Sequence, residues 1–119
     1  GLVIGILPAA SESDLEPPPG YPNRFVELPI RTHLHLSGAH GTELASRNHI
    51  NVLSSDLVIA LPGSSGTRSE VMLAVQYGTP VAAYLDDRAD IPELPETVPL
   101  VRDLSTLGSW VRHTLGRAP

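Results

Sequence analysis

The chain has 119 residues, 41% apolar and 18% charged, which suffices for one packed domain with a core of its own. A net charge of −5 gives no basic field for nucleic acid, and the absence of cysteine excludes disulfides and thiolate metal sites. All eight basic residues are Arg, so there is neither a P-loop lysine nor a Schiff-base lysine, and with no membrane-length apolar run or signal pattern a cytoplasmic protein is expected.

The first predicted element is a strand over Leu2–Leu7, ended by Pro8. Because the chain opens directly into it, the expectation is that an N-terminal portion of the domain precedes Gly1. Residues 9–22 carry Ser, Glu, Asp and three consecutive prolines, and predict a long loop that is either functional or mobile. Phe25–Leu28 predicts a short strand limited by Pro29, and Ile30–Leu36 a strand or extended loop. After the break Ser37–Gly41, Thr42 is placed to cap a helix over Glu43–Leu53.

Asp56–Leu61 is an apolar run without alternation, as in a strand covered on both faces. Pro62 and Gly63 break it, and Thr67–Tyr77 predicts a helix stopped by Gly78. Val81–Leu85 is a further strand, Asp86–Pro95 an acidic, proline-broken loop, and Val98–Val101 a short last strand. Asp103 or Ser105 caps a final helix to about Leu115, ended by Gly116 and Pro119. Strands alternating with helices predict an α/β, Rossmann-like domain with a mostly parallel sheet, whose ligands bind beyond the carboxyl ends of the strands.

The segment from Pro62 to Glu70 lies at that edge. Its glycines carry a strand into a helix and leave backbone N–H groups free, so Gly63, Ser64, Ser65, Gly66 and Thr67 can cradle a phosphate. The same residues also suit a plain turn with a Ser or Thr cap. Thr67-x-x-Glu70 fits a capping box, and Glu70 is alternatively a carboxylate facing the ligand. Arg47 lies on the preceding helix. That helix drops about 10 Å from Arg47 at 1.5 Å per residue, and the strand climbs back about 16 Å at 3.3 Å per residue. A long side chain therefore returns Arg47 to the edge near Glu70, either as an anion-binding cation or as a surface ion pair. His33 and His35 share a face if their segment is a strand, and His40 follows, but a solvated His-rich loop fits these residues better than a metal site. His49 reads as a helix-surface residue, and Asp86, Asp87, Asp90, Glu93 and Glu96 as a solvated acidic loop.

Arg47-Asn48 followed by Ser55–Glu70 resembles the signature of a superfamily containing the Lonely Guy phosphoribohydrolases, often mislabelled lysine decarboxylases, and the molybdenum cofactor carrier proteins. The shared pattern is an Arg, an Asp nine residues on, then P-G-G-x-G-T-x-x-E; here Ser64 stands at the second Gly, and Gly1–Pro8 and Gly78–Val81 also resemble the family. The resemblance implies a Rossmann-like fold, a homodimer or tetramer, and a nucleotide-like phosphorylated ligand whose phosphate is held by residues 63–67. In the hydrolases the residues matching Arg47 and Glu70 take part in cleaving the N-glycosidic bond of a nucleoside 5′-monophosphate, through a cation-like state that a carboxylate stabilises. In the carriers a similar fold holds a molybdopterin-type cofactor without comparable chemistry. Asn48, where the hydrolases tend to have Lys, brings the chain closer to the carriers, and the family's further N-terminal βα portion is not present in these residues, so an inactive truncated fragment stands as a third alternative beside carrier and hydrolase.

Overall fold

The computed structural model describes residues 1–116; the expected role of Pro119 in ending the last helix lies outside the described residues. Among the described residues are five short strands and three α-helices, with an α-helix on either side of β3 and another after β5. β1 (Ile4–Leu7) pairs in parallel with β2 (Leu28–Arg31), Ile4 opposite Leu28 and Leu7 opposite Arg31. β3 (Val58–Ala60), β4 (Val81–Tyr84) and β5 (Leu100–Val101) form a second parallel sheet in that order. The expected α/β architecture with parallel strands is therefore present, divided between two small sheets. β1 pairs only with β2, and β3 only with β4, so each keeps one unpaired edge among the described residues.

β4 shows why its apolar run lacks alternation. Val81 and Ala83 pack on the side of α2 (Ser65–Tyr77), where Val71, Leu73 and Ala74 are fully buried. Ala82 and Tyr84 meet Leu107 and Trp110 of α3 (Leu104–Thr114) on the opposite face. Each large aliphatic side chain buried here contributes about 1.5–3 kcal/mol. The body of α2 is thus fixed to the sheet, which makes its first turn a stationary platform. Gly78 closes the other end in the left-handed region (φ 70°), and the following N–H of Thr79 reaches Ala74 O at 2.9 Å.

Two elements depart from expectation. The two segments around Pro29 merge into β2, which runs through the proline; an edge strand tolerates its missing N–H. The helix expected over Glu43–Leu53 is only α1 (Asn48–Leu53), because Ser46 forms a parallel bridge with Leu36 and Leu36 N–H bonds Ala45 O. Residues 42–46 are thereby held as turns, and Leu44 is left 86% exposed. Thr42 caps nothing; its carbonyl faces His49 Nε2 at 2.9 Å, and His49 Nδ1 meets the Tyr77 hydroxyl at 2.7 Å. His49 therefore joins α1 to α2 rather than lying free on a helix surface. The Thr42 carbonyl can only accept, so Nε2 carries a proton and donates to it.

The acidic stretch 86–96 is a loop with all five of its carboxylates exposed, as expected, but its apolar residues are not. Asp87 and Asp90 exchange reciprocal caps around a 3₁₀ turn at Arg88–Asp90. Arg88 donates to Pro95 O at 2.6 Å and Val98 O at 3.1 Å. Ile91, Leu94 and Val98 are buried against Ala60, Val71 and Leu85. The charges alternate with apolar residues that enter the core, and that alternation governs the loop more than its net charge does.

Candidate functional site

The carboxyl end of β3 leads through Pro62 and Gly63 into the first turn of α2, and a cavity of about 320 Å³ opens there. One wall is the first turn of α2, with Ser64, Ser65, Gly66, Thr67 and Glu70. The facing groups come from three separate segments: Tyr21, Ser37 with Gly38, and Arg47 with Asn48. The volume is at the small end of ligand sites and the lining is mostly polar.

α2 begins at Ser65, two residues earlier than expected. Ser64 occupies the cap position with φ −111° and ψ −143°, and its side chain accepts no hydrogen bond from the helix. Thr67 lies inside the helix, so the Thr67–Glu70 capping box does not form. The first-turn N–H groups are left without a side-chain cap, beside the cavity, where the helix dipole favours an anion. Gly63 has a different task from the one expected of it. Its N–H is donated to Asp90 O at 3.1 Å, and it does not line the cavity. A β-carbon at Gly63 would run into the Thr67 hydroxyl, so its glycine is required for packing of the turn.

The opposite wall is built to close tolerances. Ser69, buried in α2, shares its one hydroxyl proton between Gly38 O at 2.8 Å and Ser65 O at 2.9 Å, tying residues 37–41 to the helix. Asn48, also buried, donates its backbone N–H to Ser46 Oγ at 3.2 Å and its Nδ2 to Gly41 O at 3.4 Å. A β-carbon at Gly41 would come within 2.6 Å of both Asn48 Nδ2 and Ser69 Cβ, so only glycine allows this approach. Tyr21, Gly38 and Ser69 carry no motif; Ser37–Gly38 reads in the sequence as a mere break, and only the loop length at 9–22 pointed toward Tyr21.

Arg47 and Glu70 come together in the cavity, as the helix-down, strand-up geometry predicts. Arg47 forms no ion pair among the described residues, and its Nε is buried without a partner. Its guanidinium carbon sits 5.4 Å from the centre of the Tyr21 ring. Burial raises the Glu70 carboxyl above the usual carboxylate range, while the charge of Arg47 and the nearby Asn51 amide pull it back. The motif's other arginine faces elsewhere: Arg68 pairs with Glu93 at 2.8 Å. The cavity thus offers one cation without a counter-ion, an uncapped helix end and a carboxyl held partly out of water.

Residues 1–101 match the SLOG cluster4 family. The chain belongs to that family. No curated protein matches it. Among solved structures this SLOG chain is similar to the molybdenum cofactor binding protein from the phototrophic bacterium Rippkaea orientalis, with 29% identity and a TM-score of 0.63. The similarity covers 97% of this chain and 63% of the other, so the chain spans less than two thirds of that protein's length. The fold and the superfamily to which the motif pointed are the ones these matches give.

His33 and His35 line a separate depression with Glu12, Leu15, Leu34, Leu44 and Ala45. His40 faces Glu43 at 2.9 Å on the surface. Among the described residues no group of three metal-ligating side chains converges, and no helix is long and apolar enough to cross a membrane.

Proposed function

We propose that this SLOG protein binds a phosphorylated, nucleotide-like small molecule as a carrier, with the phosphate on the first turn of α2 and against Arg47. The observation that carries this reading is the conjunction of an uncapped α2 and an arginine without a counter-ion in one cavity. Ser64, Ser65, Gly66 and Thr67 are the phosphate residues; Gly63 shapes the turn. A molybdopterin-type cofactor fits as cargo at the level of its phosphate, because the donor set is all backbone N–H, hydroxyl and guanidinium. The solved relative's binding of molybdenum cofactor supports the same class. Calorimetric titration with nucleoside 5′-monophosphates and pterin phosphates tests the reading. Micromolar or tighter binding is expected, weakened about tenfold or more in Arg47→Ala; no binding to any phosphate-bearing ligand overturns it.

A second reading, hydrolysis of the N-glycosidic bond of a nucleoside 5′-monophosphate, is favoured by one observation: the half-buried Glu70 carboxyl that shares the cavity with Arg47. Glu70 would stabilise the developing ribosyl cation and orient water, with Arg47 on the anionic substrate. Release of free base on incubation with purine monophosphates, lost in Glu70→Ala, would establish it, and titration without release leaves the carrier reading alone.

The working protein is, in this proposal, a cytoplasmic homodimer or tetramer in which a further N-terminal βα portion completes the domain. The unpaired edges of β1 and β3, the exposed Leu2, Val3 and Ile4, and the greater length of the solved relative support it. A chain extended upstream of Gly1 is then expected to melt higher and to bind less of a hydrophobic dye; equal melting and equal dye binding count against it.

A further inference from the structure

Beyond its phosphate end, the cavity has one apolar face. Ser37, Asn48, Ser64, Ser65, Thr67, Glu70 and Arg47 are polar or charged, and the remaining side chain that lines it is the Tyr21 ring. Tyr21 is 44% exposed, although an aromatic ring is among the side chains that gain most from burial. Among the described residues its hydroxyl makes no hydrogen bond, so the ring is not there to deliver a polar tip. What it touches is Arg47, whose guanidinium it overlies at 5.4 Å.

The placement is not that of a loose loop tip. The segment bearing Tyr21 is closed by Ala10 N–H to Glu16 O at 2.8 Å and Tyr21 N–H to Pro18 O at 3.2 Å, and Glu16 is tied to Arg31 at 3.1 Å. Pro17, Pro18, Pro19 and Pro22 limit the backbone on either side. A flat group entering the site therefore meets a ring already held beside a guanidinium, with little further ordering to be done.

We propose that Tyr21 is a specificity-determining residue, a stacking face for a planar heterocycle carried next to the ligand's phosphate. The inference rests on the phosphate-site reading and narrows it: the ligand is a phosphate ester with a flat, π-rich ring, not a bare sugar phosphate. A nucleobase and a pterin share that chemistry. A ring-free phosphate gains nothing from Tyr21, whereas a stacked ring gains contact area with it.

The test compares ligands with and without a ring. Ribose 5-phosphate, adenosine 5′-monophosphate and a pterin phosphate are titrated into the unaltered protein, Tyr21→Ala and Tyr21→Phe, with circular dichroism confirming that each is folded. Tyr21→Ala is expected to weaken the ring-bearing ligand or ligands that bind by about tenfold or more, as loss of a base–aromatic stack does. It leaves ribose 5-phosphate within twofold, and Tyr21→Phe leaves all of them within twofold. The tighter of the two ring-bearing ligands names the source of the ring. Equal weakening of ribose 5-phosphate and the ring-bearing ligands by Tyr21→Ala overturns the inference, since the ring then serves only to hold Arg47; so does no weakening at all. If the unaltered protein binds none of the three, the phosphate-site reading itself falls, and the inference with it.

Discussion

α2 and α3 are helices of similar length on opposite faces of one strand, yet they start in opposite ways. α3 is sealed: Asp103 accepts Thr106 N–H at 2.7 Å through Oδ1 and the Thr106 hydroxyl at 2.8 Å through Oδ2. α2 starts at Ser64 with no side-chain cap, at a turn whose geometry is fixed by Gly63 against Thr67 and by Ser69 against Gly38. One helix satisfies its own end and contributes Leu107 to the core. The other is at least as well buried along its body and leaves its end open to a cavity. Anchoring of the body and openness of the end are separable, and a helix with both is suited to hold an anion.

The most direct way to break this contrast is to give α2 the carboxylate that α3 has. Ser64→Asp puts a negative charge and a competing acceptor at the first turn. If an anion sits there, phosphate-ester affinity is expected to fall about 100-fold, while the melting temperature holds or rises because a free helix end gains a cap. Unchanged affinity in a calorimetric titration would place the ligand elsewhere.

Glu70→Gln is a smaller perturbation of the same end. Burial raises the folded-state Glu70 carboxyl, so the folded protein holds that proton more tightly than the unfolded chain does. The stabilisation is therefore complete below the ordinary value near 4.5 and is lost as pH rises through the raised value. At neutral pH the ionised group is a burden, and Glu70→Gln is expected to melt about 3–5 °C higher, with the gap closing as pH falls through the raised value toward 4.5. Melting curves of the two proteins across pH 4–8 check this; a gap of constant size removes the burial argument.

The contrast also explains what was legible in the sequence. α3 was readable nearly to the residue, because its cap, its apolar stripe at Leu107, Trp110 and Val111, and its stop at Gly116 are all local signals. Thr67-x-x-Glu70 gave an equally local signal and the wrong local structure: the turn is set by Ser69 reaching Gly38, 31 residues away, which no spacing rule sees. Arg47 and Glu70 were legible as a pair because helix rise and strand rise are fixed lengths. The short α1 was not, since Ser46 is drawn out of the helical pattern by Leu36. The acidic loop was legible in its exposed carboxylates but not in its buried Ile91 and Leu94, which distant residues of the core recruit. Local chemistry predicts the sealed helix; the open one is made by contacts across the chain.

Asp103→Ala is the smallest of these changes and the control for the rest. The hydrogen bonds from Thr106 hold the Asp103 carboxyl below its usual range. A depressed folded-state value gives stability that is present above the ordinary value of 3.8 and is lost as pH falls through the depressed one. Asp103→Ala should then melt about 2 °C lower at pH 7, and the deficit should shrink toward pH 3, the reverse of the trend at Glu70. Asp103→Asn keeps an acceptor for the Thr106 N–H and should recover part of the loss with less dependence on pH. Ligand affinity should stay within twofold in both, because no residue of α3 lines the cavity. A drop in affinity would mean that α3 reaches the site through β4, and that the two helix ends are not independent.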